Sequence, residues 1–202
     1  MNKFIVVDDF YRDPSAVRNL AIDAAYKRPP QGSFPGWQSL QEFITPALVS
    51  KLETLVGQPI SIDRSQYSFG RFRYTVQSLE SRPDIHIDKP DWTGVLYLTS
   101  ANHCRGGTGF FRHLATAYEG GLTDSELVKE GFLDLEDFER RVILPDRFQM
   151  DAWEKTSEVE MKFNRLVLFR GRYLFHSPTE FFGDSIATGR LTQNFFFDEI
   201  MK

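Results

Sequence analysis

Cysteine is almost missing from this chain of 202 residues, in which Cys104 is the only one. No disulfide can form within the chain, and its cysteine usage points to no particular redox compartment. Long apolar runs are missing too, because the short run at the N-terminus is interrupted by Asp8 and Asp9. That run is too short and too charged for a signal peptide or a membrane span. We therefore expect a cytoplasmic protein without a membrane partner.

A cluster of basic residues is also lacking. The 24 Lys and Arg and the 28 Asp and Glu are interspersed along the chain, and the formal net charge is −4 at pH 7. A nucleic-acid-binding surface would need a basic stripe, so we expect no nucleic-acid partner. Internal repeats are absent as well, and the length suits a single domain over residues 1–202.

Phenylalanine, in contrast, is abundant: the chain has 19 Phe, and 41% of its residues are hydrophobic. An aromatic core of this kind suits a sheet-based fold better than a helical bundle. The N-terminal part predicts a strand over 4–7, a helix over 13–26 opened by an Asp-Pro pair, and a helix over 43–56. Residues 29–37 are dense in Pro and Gly and predict a loop.

From residue 60 onward, apolar residues recur at every second position, which predicts strands. The predicted strands are 66–77, 84–88, 93–99, 108–111, 164–169, 172–176 and 189–197. Residues 112–160 interrupt this pattern with two short helices and an irregular, charged stretch over 146–160, and we interpret them as an insertion. Strands with N-terminal helices predict a mainly β fold, a double-stranded β-helix (jelly roll) braced by helices.

The motif His86-Ile87-Asp88 is the first candidate for chemistry. On a strand, residues i and i+2 share a face, so the imidazole and the carboxylate can converge on one ion. The alternative is a surface strand on which both side chains face solvent. His176, at the end of a predicted strand, supplies a third ligand. Two histidines and one carboxylate leave metal positions open, which suits non-haem Fe(II) and O₂.

Arg190 is the second candidate. Strand alternation places Arg190, Thr192 and Asn194 on one face of the last predicted strand. An inward-facing arginine needs a carboxylate partner, and its planar guanidinium can bind both oxygens of one carboxylate. The distal carboxylate of 2-oxoglutarate meets this need, with the Thr192 hydroxyl beside it. An ion pair with a carboxylate of the protein is the alternative.

The order of the motifs resembles that of the prolyl-4-hydroxylase-like branch of the Fe(II)/2-oxoglutarate dioxygenases. The matching motifs are His86-x-Asp88, Gly106-Gly107-Thr108, His176 and Arg190-x-Thr192. Tyr74 precedes the His-x-Asp motif and Tyr97 lies on the strand that follows it, as in that family. The likeness covers most of the chain from about residue 66 except the insertion.

This resemblance implies Fe²⁺ bound by His86, Asp88 and His176, with 2-oxoglutarate as co-substrate and O₂ as oxidant. The residues implied at the far carboxylate of 2-oxoglutarate are Arg190, Thr192, Tyr97 and Tyr74. The expected reaction is hydroxylation of a small molecule, an amino acid or a peptidyl side chain, with release of succinate and CO₂. Two alternatives remain open: a catalytically silent jelly-roll binding module, and a cupin-like metal enzyme that does not use 2-oxoglutarate.

Three further side chains are candidates for the substrate side: His113, Trp153 and Trp37. His113 follows the Gly-rich turn, and either the cleft or the surface suits it. The two tryptophans lie in segments predicted to be irregular, where an aromatic ring closes over a substrate or anchors a loop to the core. We expect the insertion 112–160 to shape the substrate side and to be mobile without ligand.

Overall fold

Two antiparallel sheets face each other across an aromatic interior, which is the jelly-roll architecture that the sequence predicts. The computed structural model of the chain describes residues 4–29, 36–78 and 82–200. Its strands are β1 (Phe4–Val7), β2 (Tyr26–Lys27), β3 (Trp37–Ser39), β4 (Ile60–Ser61), β5 (Phe69–Thr75), β6 (Trp92–Tyr97), β7 (Gly107–His113), β8 (Trp153–Glu160), β9 (Leu166–Phe169), β10 (Phe175–Pro178) and β11 (Arg190–Glu199). Its α-helices are α1 (Pro14–Asp23), α2 (Pro46–Val56), α3 (Asp124–Lys129) and α4 (Leu135–Phe138), and α4 continues into a π-helical turn, Glu139–Ile143.

The two N-terminal helices start and stop at residues that favour helix ends. Asp13 caps α1 by accepting a backbone N–H at 3.0 Å, and Thr45 caps α2 in the same way at 3.2 Å. Gly57 closes α2 in the left-handed conformation, with a φ of 77°. Both helices are therefore somewhat shorter than the predicted ranges 13–26 and 43–56.

The large sheet has the strand order β1-β9-β6-β11-β5-β3-β2, and β4 pairs with β11 outside this path. β11 is hydrogen-bonded to β5 on one side and to β6 on the other. Its residues Leu191, Phe195 and Phe197 point to the outer face, where they join the hydrophobic cluster that includes residues of α1 and α2. Arg190 and Thr192 point to the inner face, as strand alternation predicts.

The small sheet has the strand order β10-β7-β8. A single antiparallel bridge between His86 and His176 extends it beyond β10. Phe110 faces inward and packs with residues of the large sheet. Phe111 and Phe175 face outward and are covered by residues of α3, α4 and the π-helical turn. The small sheet is thus buried on both faces around these residues.

The interpretation of 112–160 as an insertion is wrong at its C-terminal end. Within the predicted irregular stretch 146–160, β8 pairs along the whole of β7. This strand carries mostly charged and polar residues because it is largely exposed, so it lacks the apolar alternation of the other strands. Buried Phe138 stacks on Phe175, and buried Phe132 packs against Phe138, so the helical part belongs to the core and is not a segment detached from it.

Two other predicted strands are incomplete. Residues 84–88 form only the bridge at His86, and a 3₁₀ turn at Gly171–Tyr173 takes the place of the first part of 172–176. Most of the loop predicted over 29–37 lies outside the described residues. No helix in the described ranges is both long enough and apolar enough to cross a membrane.

Candidate metal centre

Three side chains from two adjacent chain segments converge at the inner face of the small sheet. The ligand atoms of His86, Asp88 and His176 all lie within 4.8 Å of one another. His176 Nε2 lies 3.0 Å from Asp88 Oδ2, and His86 Nε2 lies 3.8 Å from Asp88 Oδ1. The bridge between the two histidines fixes this convergence, because each of their backbone N–H groups donates to the carbonyl of the other. A His-Asp-His site that could hold a metal ion is therefore present.

Both imidazole rings are oriented by a backbone carbonyl. Nδ1 of His86 lies 2.7 Å from the carbonyl oxygen of Asp84, and Nδ1 of His176 lies 2.8 Å from that of Leu174. A carbonyl can only accept, so each Nδ1 carries a proton, and each Nε2 would offer a lone pair once a metal ion displaces any proton directed at Asp88. This is the tautomer that a metal ligand needs.

Asp88 is held as a carboxylate. Burial alone would raise its pKa, but His176, His86 and the Thr93 hydroxyl outweigh burial and keep the pKa below the ordinary value. Thr93 Oγ1 donates to Asp88 Oδ2 at 2.5 Å. A side chain at Gly171 would collide with this pair, because a Cβ there would lie 2.3 Å from Thr93 Oγ1. Gly171 thus allows the 3₁₀ turn to pass close to the site.

Arg190 is buried on the inner face of β11 with 9% of its surface exposed. Among the described residues, its Nε has no hydrogen-bond partner and no carboxylate lies within ion-pair distance. Its guanidinium lies 5.5 Å from the ring centroid of Tyr97. Burial lowers the pKa of Arg190, and Tyr97 opposes this effect. An ion pair with a described carboxylate, the alternative from the sequence, is therefore not formed.

One cavity of about 630 Å³ connects these groups. Its wall includes the three candidate ligands, together with Arg190 and Thr192. The Thr192 hydroxyl donates to Asn194 Oδ1 at 2.8 Å, so it would have to rotate to donate to a ligand. A cavity of this size is typical of a small-molecule site.

The two tyrosines lie in different positions. Tyr97 is fully buried beneath Arg190, and its hydroxyl is 2.7 Å from Thr108 Oγ1, which lines the cavity. Tyr74 also contributes to the cavity wall, but it pairs with Leu191 and its ring stacks on Trp37 at 4.7 Å. Tyr97 therefore lies beside Arg190, whereas the ring of Tyr74 belongs to an aromatic stack.

The substrate-side candidates do not line the described cavity wall. His113 is buried, with Nε2 at 3.1 Å from Asp146 Oδ2. Trp153 packs edge-on against Phe175 and donates from Nε1 to the Asp146 carbonyl at 2.9 Å. Trp37 lies behind Tyr74. His113 and Trp153 anchor segments to the core, an alternative that the sequence leaves open for Trp153, whereas half-buried Trp37 stacks on Tyr74.

Sequence reasoning missed several charged residues of the cavity wall, among them Arg73, Asp84, Glu139 and Arg147. Arg147 Nε donates to Asp84 Oδ1 at 2.7 Å, and its carbonyl accepts from the backbone of Ile85 at 3.0 Å. Burial raises the pKa of Glu139, which lies at the start of the π-helical turn. The alternating charge of β5 was the available signal for Arg73. The other three carry no recognisable motif.

Comparison with known proteins places the chain in a family. Residues 1–197 match DUF6445, described as a family of unknown function, and the chain belongs to that family. No curated protein matches the chain. Among solved structures, the selenomethionine-labelled Fe(II)/α-ketoglutarate-dependent dioxygenase TqaL is similar at 15% identity, covering 100% of this chain and 84% of that one, with a TM-score of 0.47. This family assignment names no activity.

Proposed function

We propose that this protein is an Fe(II)- and 2-oxoglutarate-dependent dioxygenase that hydroxylates a small molecule, an amino acid or a peptidyl side chain. One observation carries this proposal: the His-Asp-His cluster shares its cavity with Arg190, which is buried without a carboxylate partner among the described residues. A buried cation is costly unless an anion accompanies it. A cupin-like metal enzyme that does not use 2-oxoglutarate would leave this burial unexplained.

The donor set fits the implied metal. Two neutral imidazoles and one carboxylate are the facial ligand set of non-haem Fe(II) oxygenases, and they leave positions open for co-substrate and O₂. When bound, iron with 2-oxoglutarate supplies O₂ activation and oxidative decarboxylation to succinate and CO₂. Asp88 keeps the carboxylate that halogenases of the resembled family lack, which favours hydroxylation.

The residues of the chain itself would bind and orient the co-substrate 2-oxoglutarate. Arg190 would bind both oxygens of the distal carboxylate through its fork, and the Thr192 hydroxyl would add one hydrogen bond after rotation. Tyr97 and Val95 provide buried surface around this end, which keeps water away from the ion pair. On motif order we assign the protein to the prolyl-4-hydroxylase-like branch. Its cytoplasmic location stays a prediction.

Arg190→Lys tests the co-substrate site. Lysine keeps the charge but loses the fork, so 2-oxoglutarate affinity should fall by about 10-fold or more, the loss of one charge-assisted hydrogen bond. Anaerobic calorimetry on the iron-loaded protein measures the affinity, and succinate release after O₂ is admitted measures turnover. Arg165→Lys, which alters an ion pair with Asp8 elsewhere, is the control. Unchanged succinate release at low 2-oxoglutarate in Arg190→Lys would contradict the proposal, and a wild type that releases none would favour the silent binding module.

A further inference from the structure

Asn194 shares the inner face of β11 with Arg190 and Thr192, and it contributes to the cavity wall. Only 6% of its surface is exposed. Its Oδ1 accepts the hydrogen bond from the Thr192 hydroxyl at 2.8 Å. The proposed function does not use Asn194, although strand alternation groups it with the two residues assigned to the co-substrate. Its place in the wall therefore needs a separate explanation.

The amide nitrogen of Asn194 has no hydrogen-bond partner among the described residues, because the bond from Thr192 uses only the amide oxygen. The fully covered side-chain atoms without a partner all lie on other residues, so Nδ2 is open to the cavity. Burial of an amide whose N–H groups have no acceptor costs free energy, and such groups normally meet a partner. A ligand in the cavity would supply this partner.

The register of β11 on β6 places Asn194 between the Arg190 end of the cavity and the candidate metal site. Tyr97, which has the Arg190 guanidinium 5.5 Å from its ring centroid, belongs to the inward-facing pair on one side of Asn194. Thr93, which donates to Asp88, belongs to the inward-facing pair on the other side. Neighbouring pairs on one face are about 7 Å apart along a strand. A ligand that reaches from Arg190 to a metal at Asp88 would therefore pass Asn194.

The co-substrate 2-oxoglutarate has the polar atoms that this nitrogen requires. Its two carboxylates and its keto group are all acceptors, whereas the amide nitrogen can only donate. Arg190 would bind the distal carboxylate in the proposed function. The oxygens still available beside Asn194 then belong to the keto-acid end of the molecule.

We propose that Asn194 donates a hydrogen bond from Nδ2 to an oxygen of the keto-acid end of 2-oxoglutarate. Arg190 and Asn194 would then hold the co-substrate at its two ends, and both act from the same face of β11. A hydrogen bond to a carboxylate oxygen is charge-assisted and stronger than one between neutral groups. This inference rests on the proposed function, because it takes 2-oxoglutarate as the ligand of the cavity.

The test compares affinity with stability in two leucine variants. Asn194→Leu replaces the amide by an apolar group of similar size. Gln193→Leu makes the same kind of change at the next residue, whose Nε2 already donates to the carbonyls of Phe43 at 2.9 Å and Gly70 at 3.1 Å. Both variants are loaded with Zn²⁺ in place of iron. Calorimetry with 2-oxoglutarate measures the affinity, and thermal unfolding without 2-oxoglutarate measures the stability.

The two variants should respond in opposite ways. Asn194→Leu should weaken 2-oxoglutarate binding by about 10-fold or more, the loss of one hydrogen bond to a charged group. Its melting temperature should not fall, because the change removes a buried donor without a partner and the Thr192 hydroxyl can turn to the Arg73 carbonyl, 3.4 Å away. Gln193→Leu should lower the melting temperature and keep the affinity within about twofold of the wild type.

Asn194→Ala keeps the comparison open if the cavity does not accommodate leucine, and it should weaken 2-oxoglutarate binding by a similar factor. Co²⁺ bound in place of iron gives a second measurement. The Co²⁺ spectrum of Asn194→Ala should differ from that of the wild type when 2-oxoglutarate is bound. Without 2-oxoglutarate, the two spectra should be the same, because Asn194 does not contact the candidate metal ligands.

Three results would overturn the inference. They are unchanged 2-oxoglutarate affinity in both Asn194 variants, an equal loss of affinity in Gln193→Leu, and an altered Co²⁺ spectrum of Asn194→Ala without 2-oxoglutarate. If Arg190→Lys weakens 2-oxoglutarate binding and the Asn194 variants do not, the inference fails and the proposed function stands. A wild type that does not bind 2-oxoglutarate would instead overturn the proposed function.

Discussion

The jelly roll is covered by helices on both outer sides, but the two sides differ in what they support. On the large sheet, α1 and α2 pack against residues such as Leu191 that point away from the cavity. On the small sheet, α3, α4 and the π-helical turn pack against Phe175, which directly precedes His176. Ile85 and Ile87, on either side of His86, join the same cluster. Helices on the first side brace the fold, whereas those on the second also hold the candidate metal ligands in place.

The strongest test of this comparison is a matched pair of core truncations. Phe138 in α4 and Phe10 next to β1 are both buried, with 0% and 2% exposed. Each change to alanine should lower the free energy of unfolding by about 3–5 kcal/mol, measured by urea denaturation. Only Phe138→Ala should also weaken Zn²⁺ binding to the folded protein, because Phe138 supports Phe175. Equal Zn²⁺ affinities in the two variants would refute the difference between the sides.

Two glycines offer a second matched pair. A Cβ at Gly171 would lie 3.0 Å from Asp88 Oδ2 and closer still to Thr93. Gly171→Ala should therefore lower the free energy of unfolding by about 1–3 kcal/mol, because the added methyl group overpacks the site. At Gly57, whose φ is 77°, a Cβ would have nothing within 4 Å. Gly57→Ala should therefore lower the free energy of unfolding by about 1–2 kcal/mol, because alanine disfavours the left-handed backbone conformation.

Thermal unfolding should therefore shift by similar amounts in both glycine variants. The spectrum of bound Co²⁺ should change in Gly171→Ala and not in Gly57→Ala, because only the first alters the position of Asp88. A normal Co²⁺ spectrum in Gly171→Ala would mean that the Thr93–Asp88 contact does not position the ligand.

The smallest expected effect comes from removing one ion pair near the candidate metal site and a comparable ion pair far from it. Arg147 binds Asp84, whose carbonyl orients His86, so Arg147→Gln should weaken Zn²⁺ binding by about 10-fold, as for other groups that orient metal ligands. Arg165 forms a comparable pair with Asp8 on the other side of the molecule, with Nε at 2.6 Å from Oδ1. Arg165→Gln should leave Zn²⁺ affinity unchanged. Calorimetric titration measures the Zn²⁺ affinity of both variants. An equal loss of Zn²⁺ affinity in both would point to general destabilisation and contradict the specific role of Arg147.

Sequence patterns predicted the part of the site that lies on regular strands. Alternation along β11 placed Arg190 and Thr192 together on the inner face, because residues of a strand alternate between faces wherever both faces are packed. The order of motifs brought His86 and His176 together as a hypothesis, and the structure places them side by side. The arrangement along β11 depends on local periodicity, which a single sequence displays, whereas the pairing of the two histidines was inferred from the order of motifs.

The features that the sequence did not predict depend on contacts between residues that are far apart in the chain. The strand β8 was not predicted, because its exposed residues are charged and do not alternate with apolar ones. Its pairing with β7 identifies it as a strand. The ion pair between Arg147 and Asp84 joins residues that are 63 positions apart in the sequence, and no regular spacing of residues indicates it. His113 and Trp153 were assigned to the substrate side from their neighbours in sequence, but packing buries them in the core.

The isolated bridge at His86 has a further consequence for how a metal ion bound at this site would be released. β11 lies between two strands in the middle of the large sheet, so we expect its amides to exchange with solvent only when the whole domain unfolds. His86 is tied to the small sheet by one pair of backbone hydrogen bonds. A local opening that breaks this bridge and the neighbouring bonds from Ile85 to the Arg147 carbonyl and from Asp88 to the Gly171 carbonyl would release this ligand while Arg190 stays in place. The lifetime of the bound ion would then be set by the opening rate of the segment around His86, far faster than global unfolding.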